Sequence, residues 1–171
     1  MSESERPNSS GEKSEEILKI AREILTTLLS YFPLKDEVKV SGEKKSGRIL
    51  LEIKSKESGL LIGKKGQTLL ALEYVLNRLV QHQTGSRVRV YLDCDGYRRR
   101  RKQWLERIAQ EGAEEVVRTG TEVRLGPMEA DERKIIHLAL KDHPQVYTES
   151  QGFHPFREVV IKPKPENQSE E

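Results

Sequence analysis

The sequence contains one cysteine, Cys94, in 171 residues. That excludes an internal disulfide framework and any cysteine-rich zinc site, and it fits a reducing compartment. Aromatic side chains are scarce at 5%, so a core must be assembled from aliphatic residues rather than stacked rings. No run approaches 18 apolar residues, so no candidate membrane-spanning helix is present. The opening MSESERPNSSGEKSEE is polar and acidic, unlike a secretory signal with its basic start and apolar stretch. These absences predict a cytoplasmic protein. Also missing are a Walker-type phosphate loop, a GxGxxG dinucleotide loop and a GxSxG nucleophile turn. His82, His137, His143 and His154 lack the i, i+4 pairing with a glutamate that a helical zinc site needs. Asp93 and Asp95 flank Cys94, where alternating acids more often shape a turn than hold a cation. The expectation is no enzyme, no metal and no cofactor.

Charge is abundant but nearly balanced. Hydrophobic residues amount to 35% and charged ones to 34%, which suits two compact modules better than one large core. The formal net charge is only +2. Residues 1–16 hold two basic and five acidic side chains, and residues 163–171 hold one and three, so residues 17–162 carry +7. The part expected to fold is basic, and its two ends are acidic.

Residues 1–14 and 163–171 have too few apolar side chains to offset their ordering entropy and are expected to be disordered tails. A helix should begin near Ser14, with Ile17, Ile20, Ala21, Ile24, Leu25 and Leu28 on one face, and end by Pro33. Strands are expected over residues 38–41 and 48–54, the second with Ile49, Leu51 and Ile53 on one face, joined by a turn containing Gly42 and Gly47. A short apolar turn, a Gly-Lys-Lys-Gly break and a long helix carrying Leu69, Leu72, Leu76 and Leu79 follow, then a strand over 87–92. After Gly96 the pattern changes. Trp104, Leu105, Ile108, Ala109, Val116 and Val117 recur at helical spacing up to Gly120. Strands over 121–125, 146–148 and 157–161 and a helix over 130–141 should complete a second module. The fold class is α+β.

Three features carry candidate chemistry. Gly63, Lys64, Lys65 and Gly66 form a turn between helices, preceded by Ile62 and followed by Gln67. Glycine at each end permits a tight turn and close approach, and the free N–H groups at the next helix start favour an anion, phosphate above all. Arg133 and His137 stand one helical turn apart on a shared face, where a guanidinium suits phosphate and an imidazole can hydrogen-bond or stack on a base. The plainer alternative is a histidine bonded within its own core beside a solvated arginine. Arg98, Arg99, Arg100 and Arg101, with Lys102, point in all directions around a helix, so they either extend a phosphate track or are neutralised by carboxylates such as Asp95 and Glu106.

The order helix, strand, strand, helix, GxxG, helix, strand over residues 15–93 resembles the type II KH domain (αββααβ), a family that clamps about four nucleotides of single-stranded RNA or DNA at that loop. The segment from RTGTEVRLGPMEADERKIIHLAL to TESQGFHPFREVVI resembles the small α/β domain family named for an Arg and a His separated by three residues, which binds single-stranded nucleic acid. Together, LIGKKGQTL, LDCDGYRRRR, ERKIIHLAL and TESQGFHPFREVVI are similar to the Jag (SpoIIIJ-associated) family of bacterial KH proteins over residues 15–162. That resemblance implies a KH module over 15–95 and the second module, with its leading basic helix, over 96–162. It implies single-stranded RNA as partner, with single-stranded DNA as the alternative, and nucleic-acid contacts at Ile62, Gly63, Lys64, Lys65, Gly66, Gln67, Arg98, Arg99, Arg100, Arg101, Arg133 and His137. It further implies post-transcriptional control linked to cell-envelope growth. The rival expectation is a protein adaptor that docks on the membrane-protein insertase or on a smaller KH-domain protein. Many Jag proteins carry another small N-terminal domain, in whose place this sequence has only the acidic segment.

Overall fold

The computed structural model of the chain describes residues 9–45 and 47–165. It divides into two compact units between Arg98 and Arg99.

In the first unit, helix α1 spans Ser9–Leu29, followed by strands β1 (Lys39–Lys45) and β2 (Arg48–Lys54). Residues 9–14, expected to be tail, thus form the opening turns of α1, while residues 1–8 of that expectation lie outside the described residues. Gly42, expected in the turn, lies inside β1 opposite Leu51. A side chain there would strike Leu51 at 2.4 Å, which is why a residue of turn character serves in a strand. Helix α2 (Ser58–Ile62) leads through the turn Lys64–Gly66 into α3 (Gln67–Thr84), then strand β3 (Val90–Cys94).

The sheet order is β1-β2-β3, with β1 antiparallel and β3 parallel to β2. Parallel pairing needs a crossover, and α2 with α3 supplies it. Ile49, Leu51 and Ile53 of β2 and Val90, Leu92 and Cys94 of β3 are buried against Ile17, Ala21, Leu25 and Leu29 of α1 and Leu69, Leu72, Leu76 and Val80 of α3. Leu79 was expected in that stripe, but it is 40% exposed and Val80 takes the inward place.

The outer edge of β3 is closed by side chains. Asn77 of α3 donates to the Val90 carbonyl (2.7 Å) and accepts from the Val90 N–H (2.9 Å). One turn earlier, Glu73 accepts from the Leu92 N–H (2.8 Å), and Arg98 donates through Nε to the Leu92 carbonyl (2.8 Å).

The second unit contains most of helix α4 (Tyr97–Thr119), strand β4 (Val123–Pro127), helix α5 (Ala130–Ala139), and strands β5 (Val146–Gln151) and β6 (Glu158–Pro163). Its sheet is antiparallel in the order β4-β6-β5. Leu105, Ala109, Ala113 and Val116 of α4 pack with Ile136, Leu140, Val146, Val159 and Ile161. Trp104 and Val117, expected on that face, are 39% and 42% exposed. Trp104 instead lies under the Arg101 guanidinium, 4.4 Å from its ring centroid. Strand β6 runs to Pro163, and Lys164 still bonds Gln145 and His143, so order passes the expected boundary at 162. Residues 166–171 of the expected tail lie outside the described residues.

Candidate nucleic-acid interface

The Gly-Lys-Lys-Gly segment is a tight left-handed turn. Leu61 is fully buried and Ile62 packs against the core, which anchors the turn from its N-terminal side. The Gly63 N–H then closes α2 on the Gly59 carbonyl (2.9 Å). Gly63, Lys65 and Gly66 have φ of 70°, 52° and 81°. The two glycines have no substitute on steric grounds. A Cβ on Gly63 would fall 2.0 Å from Thr68 Oγ1, and one on Gly66 would fall 2.7 Å from the Tyr97 ring. This tight backing leaves Lys64 and Lys65 exposed in front, at the start of α3. That helix has no side-chain cap and no acidic residue in its first turn. Its leading N–H groups and positive dipole end therefore have no carboxylate in their own first turn to compete with an anion.

The basic run after Gly96 is used unevenly. Asp93 accepts from the Cys94 N–H (2.9 Å) and from the Arg98 N–H (3.2 Å), so it shapes the turn into α4 as the sequence suggested. Arg98 bonds Glu73 Oε2 (2.6 Å) as well as the Leu92 carbonyl, and serves the β3 edge. Arg101 pairs with Glu132 (2.7 Å), both side chains largely buried. Neither carboxylate is Asp95 or Glu106: Glu73 and Glu132 are brought in from α3 and α5, and only the fold reveals them. Lys102 reaches Glu106 at a long 3.7 Å. Arg99 and Arg100 lie on the exposed side of α4.

In the second unit, Arg133 and His137 come from successive turns of α5, as their spacing requires. The Arg133 guanidinium donates to the Met128 carbonyl (2.9 Å), which orients it while it stays half-buried. His137 is held from both sides by β5: Nδ1 lies 2.7 Å from Thr148 Oγ1 and Nε2 2.8 Å from Ser150 Oγ. Thr148 and Ser150 are two apart on the strand and so share a face. A neutral imidazole donates from one nitrogen and accepts at the other, and rotating hydroxyls satisfy both. Burial, and then the nearby Arg133 charge, push the His137 pKa below its ordinary value, so the neutral ring is favoured.

The geometry thus combines the two sequence alternatives. Arg133 is oriented by the Met128 carbonyl, whereas His137 spends both ring nitrogens inside the unit on Thr148 and Ser150. Sequence inspection missed Thr148 and Ser150. Their alternation on a strand was the available signal, but nothing local tied that strand to the histidine.

Residues 19–92 match the family described as KhpA/KhpB, KH domain, and residues 103–163 match the R-three-H domain, the family named for its Arg-xxx-His pair. Curated relatives agree with both. A protein of Clostridium symbiosum named RNA-binding protein KhpB is 38% identical over 147 residues, covering 86% of this chain and 66% of that protein. The protein of the same name from Bacillus subtilis is 36% identical over 146 residues, covering 84% and 69%. Another from Lactiplantibacillus plantarum is 43% identical over 111 residues, covering 65% and 34%. The chain therefore spans about two thirds of the first two relatives and one third of the last. With both domains in this order on an α+β fold, the chain belongs to the KhpB (Jag) family.

Proposed function

We propose that the chain binds single-stranded RNA and catalyses no reaction. The observation that carries this is the loop at the head of α3: two exposed lysines on a glycine-bracketed turn before an uncapped helix start that holds no acid. Such a turn fits a sugar-phosphate backbone, which supplies affinity without base identity. The oriented Arg133 beside the His137 hydroxyl pair offers a second, weaker set of donors. Two weak sites on one chain reinforce each other through effective concentration. The curated relatives' shared name supports RNA as the ligand, and single-stranded DNA is the control. The polar, acidic opening and single cysteine support a cytoplasmic setting, and the Jag resemblance supports the tie to envelope growth and the insertase association.

One observation supports a protein partner in addition. Leu70 and Tyr74 on the β3 side of α3, and Val75 and Leu79 on its α1 side, are exposed apolar groups, a surface suited to a smaller KH-domain protein.

The test is fluorescence anisotropy with a labelled mixed-sequence single-stranded RNA between 50 and 200 mM salt. Each single-strand phosphate contact contributes about 0.7 to the slope of log K against log salt. The double variant Lys64→Gln, Lys65→Gln should therefore lower the slope by about 1.4 and weaken binding most at low salt. An unchanged slope and affinity would remove the loop from the interface, and absence of wild-type binding at low salt would refute RNA binding altogether.

A further inference from the structure

The β5–β6 hairpin of the second unit ends in residues 152–157, with the sequence GFHPFR. Its two phenylalanines are the most conspicuous apolar groups on that unit: Phe153 is 75% exposed and Phe156 64%. They are held together edge to face, with centroids 6.3 Å apart and an interplanar angle of 88°. The turn between them closes through the Phe156 N–H on the Phe153 carbonyl (2.7 Å). Neither ring belongs to the unit's core cluster, and Gly152, at φ 83°, already supplies the turn's left-handed residue.

The pair sits at the edge of the Arg133 site rather than elsewhere on the surface. On one strand the loop begins two residues after Ser150, whose hydroxyl lies 2.8 Å from His137. On the other, the carbonyl of Arg157, next to Phe156, accepts from the Met128 N–H (3.1 Å), and the carbonyl of Met128 receives the Arg133 guanidinium. Both ends of the aromatic loop are thereby tied to the donors already assigned to phosphate.

The surrounding charge decides the kind of ligand. The loop contributes His154 and Arg157 and no acid. The flanking acids already have cationic partners, Glu149 in Lys162 (2.6 Å) and Glu158 in Arg124 (2.9 Å), a guanidinium that also holds Glu122 (2.7 Å). Among the described residues Arg157 has no carboxylate partner. Exposed ring faces beside unopposed positive charge and oriented hydroxyls match a chain that alternates flat apolar rings with phosphates.

We infer that Phe153 and Phe156 form a stacking platform for one or two unpaired bases of a single-stranded nucleic acid whose phosphates lie toward Arg157 and Arg133. This rests on the proposed RNA binding and adds a base-reading surface to it. The hairpin then contributes affinity that depends on bases, whereas the Gly-Lys-Lys-Gly turn contributes affinity that depends on phosphates.

The experiment uses the full chain, the double variant Phe153→Ala, Phe156→Ala and the conservative variant Phe153→Tyr, Phe156→Tyr. The probes are a single-stranded oligonucleotide, a version of the same backbone lacking its bases, and vesicles of phosphatidylcholine with phosphatidylglycerol. The alanine variant should bind the base-bearing strand about tenfold more weakly, a loss typical of removing one stacked ring. It should bind the base-free strand as wild type does, keep the wild-type salt slope, and melt at the wild-type temperature. The tyrosine variant should retain most of the affinity. Equal affinity of the alanine variant for the base-bearing strand overturns the platform while leaving RNA binding intact, and so does an equal loss on the base-free strand. Loss of vesicle binding alone would overturn it too and assign the loop to lipid. Failure of the wild-type chain to bind any strand would overturn both proposals.

Discussion

Replacing His137 tests whether the second unit is organised around a neutral imidazole. The ring makes two hydrogen bonds, to Thr148 and Ser150. At about 0.5–1.5 kcal/mol net for each bond, His137→Ala should cost about 2 kcal/mol. For a unit of this size that lowers the melting midpoint by on the order of 10 °C. Trp104 is the chain's single tryptophan and lies on α4 in this unit, so its fluorescence reports this transition.

The same ring predicts a pH dependence. Its folded-state pKa is lowered by burial and by Arg133 from the usual 6.5. The unfolded chain therefore takes up a proton more readily below that pH, and stability from this group is complete above about 6.5 and declines as the pH falls below it. The two hydroxyls can still accept bonds from a protonated ring, so the loss comes from placing charge in a half-buried site beside a guanidinium. Melts at about pH 7.5 and 5.5, which bracket that range, should show a larger acid-induced drop for wild type than for His137→Gln, which cannot titrate. Equal drops would refute a titrating His137, and a wild-type midpoint in His137→Ala would refute its structural role.

Two further outcomes concern the first unit. Gly66→Ala should cost about 1–3 kcal/mol, because alanine is strained at φ 81° and its Cβ meets the Tyr97 ring; urea unfolding followed by circular dichroism measures it, and adding Tyr97→Leu should recover the part due to the clash. Glu73→Ala should destabilise the unit by about 1–3 kcal/mol by leaving the Leu92 N–H and Arg98 without their acceptor. Arg98→Ala should then cost less in that background than alone, and strict additivity of the two urea midpoints would show that they act independently.

The elements that were readable in advance are those whose cause is local. Ile49, Leu51 and Ile53 announce β2 because alternation on a half-buried strand leaves a period of two, and the glycine-bracketed lysines announce their turn because the backbone needs positive φ there. Misplacements occur where tertiary geometry chooses between neighbours. Leu79 and Val80 both fit a helical stripe, and the rotation of α3 against the sheet buries the second. Trp104 is large and apolar, yet α4 turns it outward under Arg101 and fills the core with Leu105 and Ala109. The basic run shows the same limit. Five positive residues look equivalent in sequence, but Glu73 and Glu132 arrive from elements 25 and 31 positions away and select Arg98 and Arg101. Likewise Thr148 and Ser150 become partners of His137 only when β5 lies beside α5.

The closed edge of β3 limits how the first unit can associate with other chains. An exposed sheet edge is a template for an incoming strand, whether from a peptide ligand or from another copy of the same protein. Asn77 occupies both backbone groups of Val90, and Glu73 with Arg98 occupies both of Leu92, so side chains of α3 and the first turn of α4 act as a surrogate strand there. Among the described residues, β1 is left as the open edge of this sheet, and its sequence KVSGEKK carries Lys39, Lys44 and Lys45 against the single acid Glu43. Two such edges, each with a net positive charge, repel each other, which disfavours pairing of this sheet with a second copy. A peptide that adds a strand to the first unit's sheet does so along β1, and acidic side chains suit it to that edge.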